Sequence, residues 1–91
     1  MIVIKRDGSC EPFLPEKIIN AVRLSANRTK QKLTAEQENY ILDFVAKDLK
    51  SRGFNDEVTV DNLHLSVENC LWEISRDLYQ EYRSYNNYKR R

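Results

Sequence analysis

Ile2-Val3-Ile4-Lys5-Arg6-Asp7-Gly8-Ser9-Cys10-Glu11-Pro12-Phe13-Leu14-Pro15-Glu16-Lys17-Ile18 is the stretch on which the fold turns. Ile2-Val3-Ile4-Lys5 is short and β-rich, Asp7-Gly8-Ser9 is a strong turn signal, and Glu11-Pro12-Phe13-Leu14 resumes an extended run. Together they predict a β-hairpin. Pro12 has no N–H to give to a ladder, which places the second strand on a sheet edge. Pro15 suits the first position of a helix, where its missing N–H costs nothing.

Working outward, Ile18, Ala21, Val22 and Ser25 or Ala26 repeat at helical spacing, predicting a first helix to about Asn27. The polar, basic run 27–32 reads as a loop. Thr34 and Gln37 form a capping-box pattern for a second helix with the apolar stripe Ile41, Phe44, Val45 and Leu49. Gly53, just past Arg52, takes the usual place of a helix C-terminal stop. Val58-Thr59-Val60 is strand-like. Asp61 is the expected cap of a third helix carrying Leu63, Val67, Cys70 and Leu71 on one face, and Ser75 that of a fourth carrying Leu78, Tyr82 and Tyr85. The expected class is α+β: an N-terminal β-hairpin plus a short third strand covering a four-helix bundle, in a single domain over residues 1–91.

Composition narrows the function. A net charge of +1 gives no overall drive toward nucleic acid or a membrane, so any anion site must be local. No apolar run approaches the roughly 20 residues a membrane helix needs. The first residues lack the basic-then-apolar order of a signal peptide, and a cytoplasmic location is expected. Cys10 and Cys70 read as free thiols, and two cysteines with one histidine cannot fill a closed zinc shell, so no metal site is expected. No nucleophile elbow, Walker glycine loop or H-E-x-x-H pattern accompanies His64, and no catalytic role is expected.

Four features remain that could carry binding. Lys5 and Arg6 before the turn could grip phosphate oxygens, one as a point charge and the other as a fork, or serve as edge-strand charges that oppose aggregation. Strand alternation keeps the two from facing one partner from the strand itself. Lys17 stands in the first turn of the first helix, where the dipole prefers an anion; it could meet a phosphate there or simply face solvent. His64 could bond or stack on a base and ribose, or be structural. Spacing alone favours the bland reading for the hairpin pair and His64, and divides evenly for Lys17. The last helix interleaves Tyr79, Tyr82, Tyr85 and Tyr88 with Arg76, Arg83, Lys89, Arg90 and Arg91, which can mean nucleic-acid binding, but packing and C-terminal capping account for most of it.

Read together, the pieces are more specific. Val3-Ile4-Lys5-Arg6-Asp7-Gly8-Ser9, then Glu11-Pro12-Phe13, then Glu16-Lys17-Ile18 resemble the opening of the ATP-cone family. Val58-Thr59-Val60 followed by Leu63, Val67-Glu68 and Leu71 resembles its second block, and Tyr82-Arg83 its closing pair. The likeness is greatest to the cone of anaerobic ribonucleotide reductases. The module also follows a zinc ribbon in a repressor of reductase genes; nothing here resembles a zinc ribbon, which disfavours that parent.

The resemblance implies a regulatory domain that binds ATP or dATP, with Mg2+ on the phosphates, and controls overall reductase activity by changing subunit association. ATP permits turnover and dATP shuts it down. The implied partners are the adenine nucleotide, the rest of the reductase with its other subunits, and further copies of the domain, without direct nucleic-acid contact. Val3 and Lys5 would lie on the base side, Arg6 and Lys17 would meet phosphate, Glu11 would order the lid, and His64 would stand near ribose and base. The resemblance thereby raises Arg6, Lys17 and His64 above their bland readings. Leu14 departs from the pattern, which has Asp or Asn there; Leu can neither cap the helix nor hydrogen-bond a ribose. The alternative is a degenerate cone that serves as a protein-interaction domain without nucleotide.

Overall fold

In the computed structural model, the described backbone covers residues 1–89 and the described side chains residues 1–85. Tyr88, Lys89, Arg90 and Arg91 of the basic and aromatic run therefore lie outside the described side chains.

The chain opens with a hairpin of β1 (Ile2–Ile4) and β2 (Cys10–Pro12), antiparallel with Val3 opposite Glu11. Lys5 and Ser9 close a three-residue loop: the Lys5 N–H donates to the Ser9 carbonyl at 2.8 Å and the Gly8 N–H to the Lys5 carbonyl at 3.0 Å. Gly8 has φ +88°, the left-handed conformation such a loop needs at its third residue. The Asp7 carboxylate accepts from the Ser9 N–H at 2.9 Å and the Ser9 hydroxyl at 2.6 Å. These bonds hold its pKa below the usual carboxylate value. Pairing outlasts β2 by one step, since the Phe13 N–H donates to the Met1 carbonyl at 2.9 Å.

The helix α1 (Pro15–Arg28) begins at Pro15 as expected and ends one residue past Asn27. The full capping box of Thr34 and Gln37 starts α2 (Ala35–Ser51). Arg52 and Gly53, the latter at φ +88°, end it, and the Phe54 N–H reaches back to the Leu49 carbonyl at 2.9 Å. The third strand, β3 (Glu57–Thr59), is set one residue earlier than the sequence suggests, because Val60 already opens α3 (Val60–Ile74). The cap of α3 is thus Thr59 and not Asp61: the Thr59 hydroxyl accepts from the Asn62 N–H at 3.3 Å. The Ser75 hydroxyl accepts from the Leu78 N–H at 3.3 Å at the start of α4 (Arg76–Lys89), as expected.

The sheet has the order β2-β1-β3, so Pro12 is on an edge. β3 runs parallel to β1, pairing Val3 with Val58 and Ile4 with Thr59. α3 packs against α2 and α4, α4 also packs against α1, and α1 touches α2. Val3 and Val58 turn from the sheet into the same core as Ile18, Ile19, Val22, Ile41, Val45, Leu49, Leu63, Val67, Cys70, Leu71, Leu78 and Tyr82. Every helical stripe read from the sequence contributes to it, with Phe44 and Ala21 at its margin, but Tyr85 is outside it, half-buried with the Arg28 guanidinium over its ring. Four helices and a small three-stranded sheet make the α+β architecture that the sequence predicts. Among the described residues no helix is long and apolar enough to cross a membrane. Cys10 and Cys70 are both free, the first exposed and the second buried.

Candidate functional site

Residues directly opposite each other on paired strands share a face. Glu11, opposite Val3, therefore lies on the face of the sheet that looks toward the helices, as does Lys5, two residues beyond Val3. The first turn of α1 brings Lys17 to the same place. Lys5 Nζ stands 3.4 Å and Lys17 Nζ 3.2 Å from the one oxygen, Glu11 Oε2. The hydrogen bond from Lys17 is the main cause holding the Glu11 carboxyl below its usual range, and the charges of Lys17 and Lys5 add to it against the opposing effect of burial.

Arg6 goes elsewhere, as strand alternation requires. Its Nε donates to Asp61 Oδ1 at 2.9 Å, and Nη2 donates to the same oxygen. The reason is register. Ile4 pairs with Thr59, so two residues further on Arg6 comes alongside Asp61 in the first turn of α3. Lys5, Arg6 and Lys17 are thus gathered around the hairpin by two carboxylates. The ion pairs are open to solvent and therefore individually weak. They hold the cations in place without locking them, and a polyanion with several oxygens can replace both carboxylates.

The other two predicted residues frame this cluster. Val3 is only 3% exposed and forms part of the floor. His64 is three residues beyond Asp61 on α3, a spacing that puts both on one side of the helix. Its half-buried ring meets Tyr82 edge-on, with centroids 6.1 Å apart. Leu14 takes the cap position of α1 with no side-chain hydrogen bond and is largely exposed. The first turn of α1 is left with Glu16 and Lys17 as its polar side chains.

Asp61 is the site residue that sequence reasoning missed as a partner, having read it only as a cap. The signal was the pairing of β3 with β1, which local patterns do not disclose. A groove of about 360 Å³ between α1 and α2, lined by Pro15, Ile19, Asn20 and Leu42 and bridged by Arg23 and Glu38 at 2.7 Å, is separate from this cluster. Among the described residues no group of three or more His, Cys, Asp and Glu side chains could hold a metal ion. Among the described residues of α4, the basic and aromatic side chains make packing contacts. Tyr82 is buried, Arg76 stacks 3.5 Å over Trp72, and Arg83 donates to the Tyr79 hydroxyl at 3.0 Å.

The ATP cone domain family matches residues 1–91, from end to end. The chain belongs to this family. The cone is a nucleotide-binding regulatory module and not a catalyst. Its curated relatives include proteins named transcriptional repressor NrdR: 36% identical in Lactobacillus delbrueckii subsp. bulgaricus, 32% in Lactobacillus gasseri and 30% in Lactobacillus johnsonii, each over 56 residues. These matches cover 62% of this cone and 35% of each relative, so the chain spans about a third of the length of the proteins it matches. The expectation against a repressor parent gains no support from these relatives, which carry that name. The likeness concerns the shared module alone.

Proposed function

We propose that this cone binds ATP or dATP beneath the hairpin and acts in the cytoplasm as an on–off sensor for a ribonucleotide reductase, through changes in how its subunits associate. The observation that carries the reading is the convergence of Lys5, Arg6 and Lys17 on two displaceable carboxylates in a chain of this family. Arg6 and Lys17 would take the phosphates, with Mg2+ shared among the phosphate oxygens. Lys5 and the Val3 floor would lie on the base side and His64 near the ribose. Glu11, once relieved of Lys17, would tie the lid through Lys5.

Regulation requires that ATP and dATP favour different arrangements of the whole assembly. The ligands differ by one hydroxyl, so discrimination rests on a hydrogen bond to that group or on packing against the bare carbon. The repressor name of the relatives favours a second parent, a transcriptional regulator, in which the cone would sense the same nucleotides. The bare cap at Leu14 favours, in turn, a cone that keeps its fold and serves only as an interaction domain.

Titration calorimetry with ATP, dATP and single-stranded DNA separates these readings. Micromolar binding of either nucleotide is expected, weakened about tenfold to a hundredfold in Arg6→Ala, the range for loss of charge-assisted hydrogen bonds. Lys17→Ala weakens it in the same direction. Heat with neither nucleotide refutes the sensor and leaves the interaction domain. Binding to DNA alone, falling steeply with salt, refutes both.

A further inference from the structure

The geometry points to Asp61 as an internal stand-in for phosphate that sets the affinity of the site and the charge a ligand must carry to enter it. The inference rests on the nucleotide reading above and adds a residue to it. Nε and Nη2 of Arg6 both donate to Asp61 Oδ1, so the Nε–Nη2 fork, one of the two edges of the guanidinium that a phosphate could take, is already filled. The pair is accessible, with side chains 37% and 56% exposed, so an incoming anion can reach and displace the carboxylate. Asp7, the other acid beside Arg6 in the hairpin loop, is oriented by Ser9, which holds its Oδ1 twice. Lys5 and Lys17 are engaged by Glu11.

A ligand with one charge offers Arg6 little more than Asp61 already does. A triphosphate brings several oxygens at once and can engage Lys17 while it takes Arg6. Asp61 thereby biases the cone toward highly charged nucleotides and holds the hairpin to α3 until one arrives. Removing its charge frees the fork and also removes an anion from beside the phosphates.

The test is titration of the whole chain with ATP and magnesium, and separately with uncharged adenosine, for wild type, Asp61→Asn and Asp61→Ser, each first shown to melt cooperatively. Asp61→Asn is expected to bind ATP up to about fivefold tighter, the range set by an exposed ion pair, with adenosine unaffected. In an Arg6→Ala background, followed by NMR to millimolar ligand, the gain disappears. Equal or weaker ATP binding by both Asp61 variants, with wild type binding normally, overturns this inference and spares the site. A gain that persists without Arg6 also overturns it, since the effect would then be general repulsion. Absence of ATP binding in wild type and variants alike overturns the nucleotide reading itself.

Discussion

Glu11 and the two thiols show how much a single side chain's surroundings decide. Lys17 and Lys5 hold the Glu11 carboxyl below its ordinary value of 4.5. A group depressed on folding contributes stability that is present above its unfolded pKa and lost as pH falls through the folded one. On acidification below 4.5 the melting temperature of wild type should fall more steeply than that of Glu11→Gln; parallel curves would show that the cluster adds nothing. Burial pushes the Cys70 thiol up from 9.0 to about 12, so it stays protonated and shielded at neutral pH, whereas Cys10 is exposed. An alkylating reagent at pH 8 should label Cys10 alone until the chain is unfolded, and mass spectrometry of the native protein reads this directly. At this scale the sequence showed which groups were charged but not whom they meet. Arg6 and Asp61 are 55 residues apart, and nothing local links them.

The helix ends test the elements. Gly53 and Lys30 do one job: each follows a helix in the left-handed region, at φ +88° and +59°. Past α1 the Gln31 N–H donates to the Ala26 carbonyl at 2.8 Å, as Phe54 does to Leu49 past α2. Glycine adopts that conformation freely, while a residue with a Cβ spends about 1 kcal/mol or more on it. Lys30→Gly should therefore raise the melting temperature by several degrees and Gly53→Ala lower it, as differential scanning calorimetry would record. The same argument shows why one stop was legible and the other was not. Glycine announces its turn, and a lysine in a basic loop does not. The start of α1 gives the converse case. Leu14→Asp supplies the missing cap and should add about 0.5–2 kcal/mol, provided the new charge does not simply take Lys17 from Glu11. Elements with matched local signals, such as Thr34 with Gln37, were readable outright. At β3 two signals compete, since Thr59 and Asp61 can both cap, and the extended run ends where the earlier one does so.

For the whole molecule, one core joins sheet and bundle, with Val3 and Val58 beneath the strands and Leu71, Leu78 and Tyr82 among the helices. Leu71→Ala should cost about 2–5 kcal/mol, a large part of what a domain of this size has, and should loosen hairpin and helices together. Loss of the helices with the hairpin retained, seen by NMR, would contradict a shared core. The spacing of apolar residues disclosed the four stripes, because periodicity is a local property. The strand order was not disclosed, because pairing between β1 and β3 spans the chain. That order bears on how the protein comes into being. The middle strand of the sheet is the first to be synthesised, and its second neighbour emerges only after two helices have followed. A lone two-stranded hairpin is barely stable in water, so the nascent hairpin waits, half-zipped, for residues 57–59 to arrive. Strand-by-strand assembly in order of synthesis is thereby closed to this part of the fold, and a ribosome stalled before residue 57 would carry a hairpin without the strand that completes its sheet.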